Sequence, residues 1–368
     1  MRAVYIDFNP EKNVGVRRKI SYQIDALRNL GVDTVHAFYN NGYYFGEEKI
    51  FGLHSSSTIV RKVYEIKIVK EILSRDFSGF DFIYLRYVRL TPWFYWMLRV
   101  LSKKVSKVYV ELATYPYDGE VKKYSPLTIS DNFFRTKISS YVDAIFCFGI
   151  TEGRVWGIPS VNMTNAINPA DITFVNVEEN NKEKQSIDLI SVSSLASWHA
   201  YDRLIDSMNE LPSDAKSKVK FHVVGDGPKK VELERLVQQY NLDSHVIFYG
   251  SLQGEKLDEV YAHADVGVGS LGLYRIGLDE ITPIKMSEYA AKGLPFILAN
   301  KDPRFEQADF VYRVPNKAGS FDLEKMITWY QNLKATKASI RKFAEDNLTW
   351  ETQMRKVVDH FNRSKTQN

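Results

Sequence analysis

The chain has one cysteine, Cys147, in 368 residues. An internal disulfide framework and a cysteine-built zinc cluster are therefore excluded. Cys147 sits in the apolar run "AIFCFG", the pattern of a buried strand. No stretch approaches the roughly 18 apolar residues of a spanning helix. The opening "MRAVYIDF" alternates like a strand and does not show a basic segment followed by an apolar one. These absences predict a cytoplasmic protein. Histidines number only seven, and no D-x-D pair is present to hold a divalent cation. There is no internal repeat and no low-complexity tract. The net charge of +4 is too small to suggest a nucleic-acid partner. It hides an asymmetry, with a basic excess in residues 1–175 and a mildly acidic remainder.

A chain of this length predicts two domains. Apolar content of 44% and charged content of 26% suit a globular protein. Aromatics reach 13%, with 22 Tyr and 21 Phe. Well-filled cores account for such an excess more simply than sugar or membrane contact. Strand-like runs ("AVYIDF", "DTVHAFY", "DFIYLRY", "KVYVELA", "AIFCFG") alternate with helical patterns, one of them carrying Ile20, Ile24, Leu27 and Leu30 at helical spacing. A polar segment, "NAINPADITFVNVEENNKEKQS", interrupts the rhythm as a linker would. Alternation resumes with "IDLISVSS", "VKFHVVG", "HVIFYG", "ADVGVGSL" and "LPFILAN". The expected architecture is α/β, two doubly wound domains facing each other across a cleft. Their expected bounds are 1–170 and 171–345, with 346–368 a helix packing back on the first domain.

Ligands of open α/β sheets bind where strand ends lead into helix N-termini. Three such places carry candidate residues. "HVVGDGP" sets Gly225 and Gly227 around an acid, which a ligand-free tight turn explains equally well. "SLASWHAYDRLIDSM" places Ser194, Ser197 and His199 where amides could face an anion; the plainer account makes Ser197 a cap and His199 a loop residue. The most specific stretch is "GLDEITPIKMSEYAAKGLPFI". Glu280 lies in a loop after a strand, Pro283 suits a first helical turn, and Glu288 projects from a helix expected over Ile284 to Lys292. Lys285, three residues before Glu288, could form an ordinary surface pair with it.

In order, the chain carries "SWHAYDRLI", "VVGDGP", "VIFYGS", "YAHADV", Glu280 and Glu288 with seven residues between, "SEYAAKGLPFI" and "NLTWETQMRKVVDHF". This series resembles the nucleotide-sugar domain of the family 4 glycosyltransferases of GT-B fold, over most of residues 160–365. "NVGVRRKISYQIDALRNLG" and "VELATYPYDGE" resemble the acceptor domain more loosely. The resemblance implies that Glu288 binds the donor ribose and Glu280 faces the transferred sugar. Backbone of Ile281, Thr282, Pro283 and Ile284 would hold the diphosphate, and Gly225, Gly227 and Gly250 would shape the base and phosphate pocket. Gly15, Glu111, Thr114 and Tyr115 would lie on the acceptor side. Ser194 and His199 stand where the family has Arg and Lys, so Lys285 is the candidate to neutralise the leaving diphosphate, ahead of Arg203. The glycines that often follow the first Glu are missing too, and Glu111, Thr114 and Tyr115 stand where a His is frequent.

The function so implied is retaining transfer from a nucleotide-diphosphate sugar, UDP-linked, to a saccharide, without metal or other cofactor, in surface polysaccharide synthesis. Two alternatives stay open: a non-catalytic partner subunit of the same fold, and a sugar-nucleotide epimerase. Arg86, Arg89, Arg99, Lys103, Lys104 and Lys107 surround "TPWFYWMLRVL". Pattern alone reads this as a core helix with solvated ends. Relatives that extend lipid-linked saccharides add the expectation of peripheral docking at the inner membrane face and a lipid-diphosphate acceptor.

Overall fold

The computed structural model describes residues 1–9, 14–52, 58–115, 125–149, 151–175 and 186–366. Part of the first loop, the end of "VELATYPYDGE" and much of the linker lie outside them. The chain forms two compact units, 1–165 with 350–368, and 166–349.

The first unit runs β1 (Arg2–Ile6), α1 (Val14–Asn29), β2 (Asp33–Tyr39), β3 (Gly42–Phe45), β4 (Glu48–Gly52), α2 (Thr58–Ser74), β5 (Phe82–Arg86), α3 (Pro92–Leu101), β6 (Lys107–Leu112), α4 (Pro126–Arg135), β7 (Ala144–Phe148), β8 (Arg154–Val155) and β9 (Ile158–Met163). Its nine strands lie in the order β4-β3-β2-β1-β5-β6-β7-β9-β8. The five strands expected from sequence are the parallel centre, β2 through β7. Every residue of β5 and β7 is buried, as a parallel strand covered on both faces requires. Cys147 is among them, its thiol pushed up to about 12 by burial. The β3–β4 hairpin adds antiparallel edge strands, and β9 extends the parallel set. Neither was expected. One sheet face is filled with rings, Tyr5 on Tyr84 (5.2 Å), Tyr84 on Phe146 (5.7 Å) and Phe82 on Tyr109 (5.5 Å), so part of the aromatic excess is core.

The second unit runs β10 (Ile187–Val192), α5 (Tyr201–Glu210), α6 (Ser213–Lys216), β11 (Val219–Val224), α7 (Lys230–Gln239), β12 (Val246–Gly250), α8 (Glu255–Ala262), β13 (Val266–Val268), α9 (Ile284–Ala291), β14 (Phe296–Leu298), β15 (Val311–Arg313), α10 (Leu323–Gln331) and α11 (Lys337–Asn347). All its strands are parallel, in the order β12-β11-β10-β13-β14-β15. Separate apolar clusters cover the two faces. The order reverses between β10 and β13, and at such a switch point adjacent loops diverge and leave a crevice at the strand ends. The last helix, α12 (Trp350–Thr366), belongs to the first unit. There Phe361 packs at a tilt against Phe82, ring centroids 5.4 Å apart, and Gln353 accepts the Thr164 N–H at 3.0 Å.

Candidate functional site

The residues at the β10/β13 switch point assemble from three loops. After β10 the chain makes a short 3-10 turn, Ser197–His199, and Ala200 takes a left-handed conformation (φ 48°) that redirects it into α5. Such a backbone is unfavourable for a residue with a Cβ and is kept only where the surroundings enforce it. It lays the His199 ring on Tyr201, with centroids 5.5 Å apart and planes nearly parallel. No side-chain hydrogen bond caps α5, so Ser197 is not the cap that its position suggested. Ser194 is exposed.

His199 is buried and its pKa falls to about 3, first through burial and then through the charge of Lys285. It is a neutral imidazole at physiological pH. Its Nδ1 lies 3.0 Å from Ser270 Oγ, beyond β13, and 3.3 Å from Lys285 Nζ. The ammonium donates there and to the Tyr201 hydroxyl, also at 3.3 Å. Lys285 is thus turned toward the β10 loop, and the surface pair with Glu288 does not form. Other cations on these loops are committed elsewhere. Arg203 is buried against the carbonyls of Gly319 and Leu271, which removes it as a phosphate ligand. Arg275 pairs with Asp202, and Arg304 with Asp302. Among these side chains, Lys285 is the cation held by neither a carboxylate nor a backbone carbonyl.

Helix α9 begins at Ile284, with Pro283 preceding it in extended conformation (φ −68°, ψ 142°). Pro283 is therefore the cap residue and not part of the first turn. The first N–H groups of a helix have no intrahelical acceptor, so Ile284 and Lys285 present theirs to an incoming group. Two of the expected diphosphate contacts change. The Ile281 N–H is given to Lys301 O at 3.3 Å, and Pro283 has no N–H to give. The Pro283 carbonyl accepts from Arg304 at 2.9 Å, while a second Arg304 nitrogen holds Ser287 Oγ at 2.8 Å. Buried Asn300 donates to Ile281 O at 3.2 Å, and its own carbonyl oxygen has no hydrogen-bond partner among the described residues. This clamp of Arg304, Asp302 and Asn300 fixes the start of α9. Sequence reasoning missed it, because its members touch the loop only through the tertiary fold.

Glu280 and Glu288 are both half-buried. Glu280 joins Lys301 in an isolated parallel backbone bridge. Burial raises the Glu288 carboxyl pKa, with Lys292 and Lys285 opposing, while Lys292 itself binds Asp258 at 2.7 Å. Among the described residues, no side chain or backbone donor is hydrogen-bonded to either carboxylate. The part of the Glu288 carboxylate taken out of water is costly to ionise until a donor reaches it.

The glycines act mainly on the backbone. Gly225 has φ 132°, and a Cβ there would overlap the Ser193 carbonyl; at Gly227 it would come within 2.6 Å of Leu195 N. Both let the loop after β11 pack on the loop after β10, where Leu195 N donates to Asp226 O at 2.9 Å. Gly250 has φ 69° with open space around it.

In the first unit, Gly15 lies exposed in the first turn of α1. Thr114 and Tyr115 are half-buried after β6, and the Tyr115 N–H donates to Phe148 O at 3.1 Å. Glu111 is fully buried, paired with Arg86 and accepting from Gln23 at 2.8 Å and Tyr84 at 3.0 Å. A carboxylate held this way has no free face for an acceptor sugar. The resemblance also passed over Lys19, whose Nζ sits 3.2 Å from the Phe148 ring centroid; burial lowers its pKa to about 8.

Residues 174–308 match the family model described as glycosyl transferases group 1. This stretch lies wholly within the second unit. The solved structures alike to this chain give it the GT-B fold. A glycosyltransferase from Rickettsia africae ESF-5 is 15% identical, covers 98% of both chains and has a TM-score of 0.61. Anabaena Alr3699/HepE, crystallised in complex with UDP, is 12% identical over 99% of this chain and 100% of its own, with a TM-score of 0.59. At these identities the likeness concerns fold. The phosphatidylinositol N-acetylglucosaminyltransferase gpi3 subunit of Schizosaccharomyces pombe is 31% identical over 93 residues. That stretch is 20% of this chain, which spans only about a fifth (20%) of the relative's length. The loops built around Lys285, Glu280 and Glu288 all lie inside the matched stretch.

Proposed function

We propose that the protein is a retaining glycosyltransferase that moves a sugar from a nucleotide-diphosphate donor, UDP-linked, to a saccharide hydroxyl. The carrying observation is the pair of unpartnered carboxylates on the loop and helix that also present α9's first amides and Lys285. Glu288 accepts hydrogen bonds from the donor ribose, and Glu280 from hydroxyls of the transferred sugar. The amides of Ile284 and Lys285, with the Lys285 ammonium, face the diphosphate. As the anomeric C–O bond breaks, negative charge grows on the diphosphate, and fixed donors already in place lower the barrier. The acceptor oxygen bonds to the anomeric carbon on the face the diphosphate leaves, and a phosphate oxygen takes the acceptor's proton. Neutral His199, with Ser270, holds the ammonium in place; a protonated imidazole would repel it. In this reading the lysine and the helix N-terminus supply the positive charge without a divalent metal or other cofactor. The reading includes a lipid-diphosphate-linked acceptor and a role in surface polysaccharide synthesis at the inner membrane face.

Nucleotide sugars are to be screened by thermal stabilisation, and products analysed with and without a lipid-linked saccharide. Acceptor-dependent release of the nucleotide diphosphate with retained anomeric configuration is expected. Donor isomerisation without transfer would make the protein an epimerase, and binding without turnover a non-catalytic subunit; either ends the proposal.

A further inference from the structure

The basic, aromatic segment after β5 forms α3, and its inner face is core. Phe94, Met97, Leu98 and Leu101 are buried at helical spacing, behind an N-cap at Thr91. The outer face is unusual. Trp93 and Trp96 are 41% and 40% exposed, and on α4 Ile129 and Phe133 are 64% and 57% exposed. These two helices sit side by side, joined by Tyr95 against Phe134 with ring centroids 4.9 Å apart. Four large apolar side chains standing out on adjacent helices exceed the scattered exposure normal for a monomer's surface.

The charge on this face has one sign. α3 contains no acidic residue, and the one acid of α4, Asp131, is buried. Asp131 points inward, accepting from Tyr87 OH and Leu90 N, both at 2.6 Å. Arg89, Arg99, Lys103 and Lys137 are exposed around the apolar side chains, and the Lys137 ammonium lies 3.4 Å from the Phe133 ring centroid. The structure also corrects the sequence-based set of basic residues. Arg86 is buried with Glu111, Lys104 donates to Leu73 O and Arg75 O, and Lys107 pairs with Asp143. Three of the six expected cations are thus tied into the fold, and Lys137, just past α4, contributes instead.

We propose that the outer face of α3 and α4 docks on an anionic lipid surface, with Trp93, Trp96, Ile129 and Phe133 entering the headgroup layer and Arg99 and Lys137 meeting lipid phosphates. Indole rings combine a large apolar body with one polar N–H and favour that boundary. Cations at its rim add about fivefold in affinity each near an anionic leaflet, from about 1 kcal/mol apiece. A soluble acidic partner would match the charge but leave the two tryptophans without a reason. No helix among the described residues is long and apolar enough to cross a membrane, so the contact is peripheral. The proposal gives a place to the membrane contact in the transferase reading and rests on that reading for its purpose, while its test does not depend on it.

The full chain is sedimented with vesicles of phosphatidylcholine alone or mixed with phosphatidylglycerol, over a salt series. Binding to the mixed vesicles that fades with salt is expected, together with a blue shift of tryptophan emission. The double variant Trp93→Ser/Trp96→Ser should bind on the order of tenfold more weakly. Arg99→Glu/Lys137→Glu, which alters no buried side chain, should bind roughly tenfold more weakly or worse. Both should keep the wild-type circular dichroism and melting temperature. No binding of the wild type to mixed vesicles, or equal binding by folded variants, overturns the proposal. So does a lipid-free dimer dissociated by the same substitutions, which would assign the face to a second copy. UDP affinity, measured in the same variants, reports on the transferase reading separately.

Discussion

The two sheets of this protein reverse strand order in the same way, between β1 and β5 in the first unit and between β10 and β13 in the second. Both carry charged residues near that switch point, and they treat them oppositely. In the first unit the carboxylate of Glu111 is enclosed by Arg86, Tyr84 and Gln23, and Tyr5 closes the chain of bonds by donating to Gln23 at 2.7 Å. In the second, Glu280 and Glu288 stay half-buried with no donor among the described residues, and Lys285 meets His199 and Tyr201. A satisfied charge network at a sheet mouth is an element of the fold. An unsatisfied one is open to donors from outside the fold.

The sharpest way to break this contrast is Arg86→Ala. It leaves Glu111 buried and uncompensated, which costs about 3–5 kcal/mol, so urea denaturation should show a large loss of stability. Lys285→Ala, by contrast, should change stability by less than about 1 kcal/mol. Similar losses in both would erase the distinction between the two edges.

Glu280→Ala should lower turnover on the order of 10²-fold or more in a folded protein, if its contact tightens as charge develops. Near-normal turnover would move the sugar contact elsewhere.

Glu288→Gln separates binding from folding. Nucleotide affinity should fall by roughly 1.5–3 kcal/mol, the worth of a hydrogen bond to a charged acceptor. Stability should rise at neutral pH. Burial raises the folded carboxyl pKa above 4.5, so the fold favours the protonated acid. That contribution is complete below the unfolded value and lost as pH climbs past the folded one. Glutamine removes the cost of the ionised form, so its advantage should shrink toward pH 4. A glutamine variant less stable than the wild type at pH 7 would count against an unpartnered carboxylate.

The last effect concerns His199 and shows only at acid pH. Its folded pKa of about 3 lies below the ordinary 6.5, so the unfolded chain binds the extra proton between those values. The stability it contributes is present above pH 6.5 and declines as pH falls toward 3. His199→Asn should flatten the acid limb of stability against pH by up to about one proton. An unchanged slope would mean that the imidazole is not held neutral.

Much of this fold was legible in the sequence because parallel strands buried on both faces read as plain apolar runs, as in "AIFCFG" and "VKFHVV". The strands that escaped were those without that signature. β9, "IPSVNM", carries a proline and is mostly half-exposed or exposed, and β15 has three residues with one buried. The candidate site was legible only as motif spacing. Glu280 and Glu288 were visible eight positions apart, but the direction Lys285 takes depends on Tyr201 and His199, more than eighty residues away in sequence. Nor could the sequence show that His199 is neutral, since its pKa is set by burial. The Arg304 clamp on Pro283 and Ser287 was invisible for the same reason.

The most direct measurement is calorimetric binding of UDP and of uridine to the wild type and to Lys285→Ala. If the lysine carries the diphosphate's counter-charge, the variant should lose about tenfold or more in UDP affinity and leave uridine binding unchanged. Equal losses for both ligands, or none for UDP, would contradict the account and return Lys285 to a structural partner of His199.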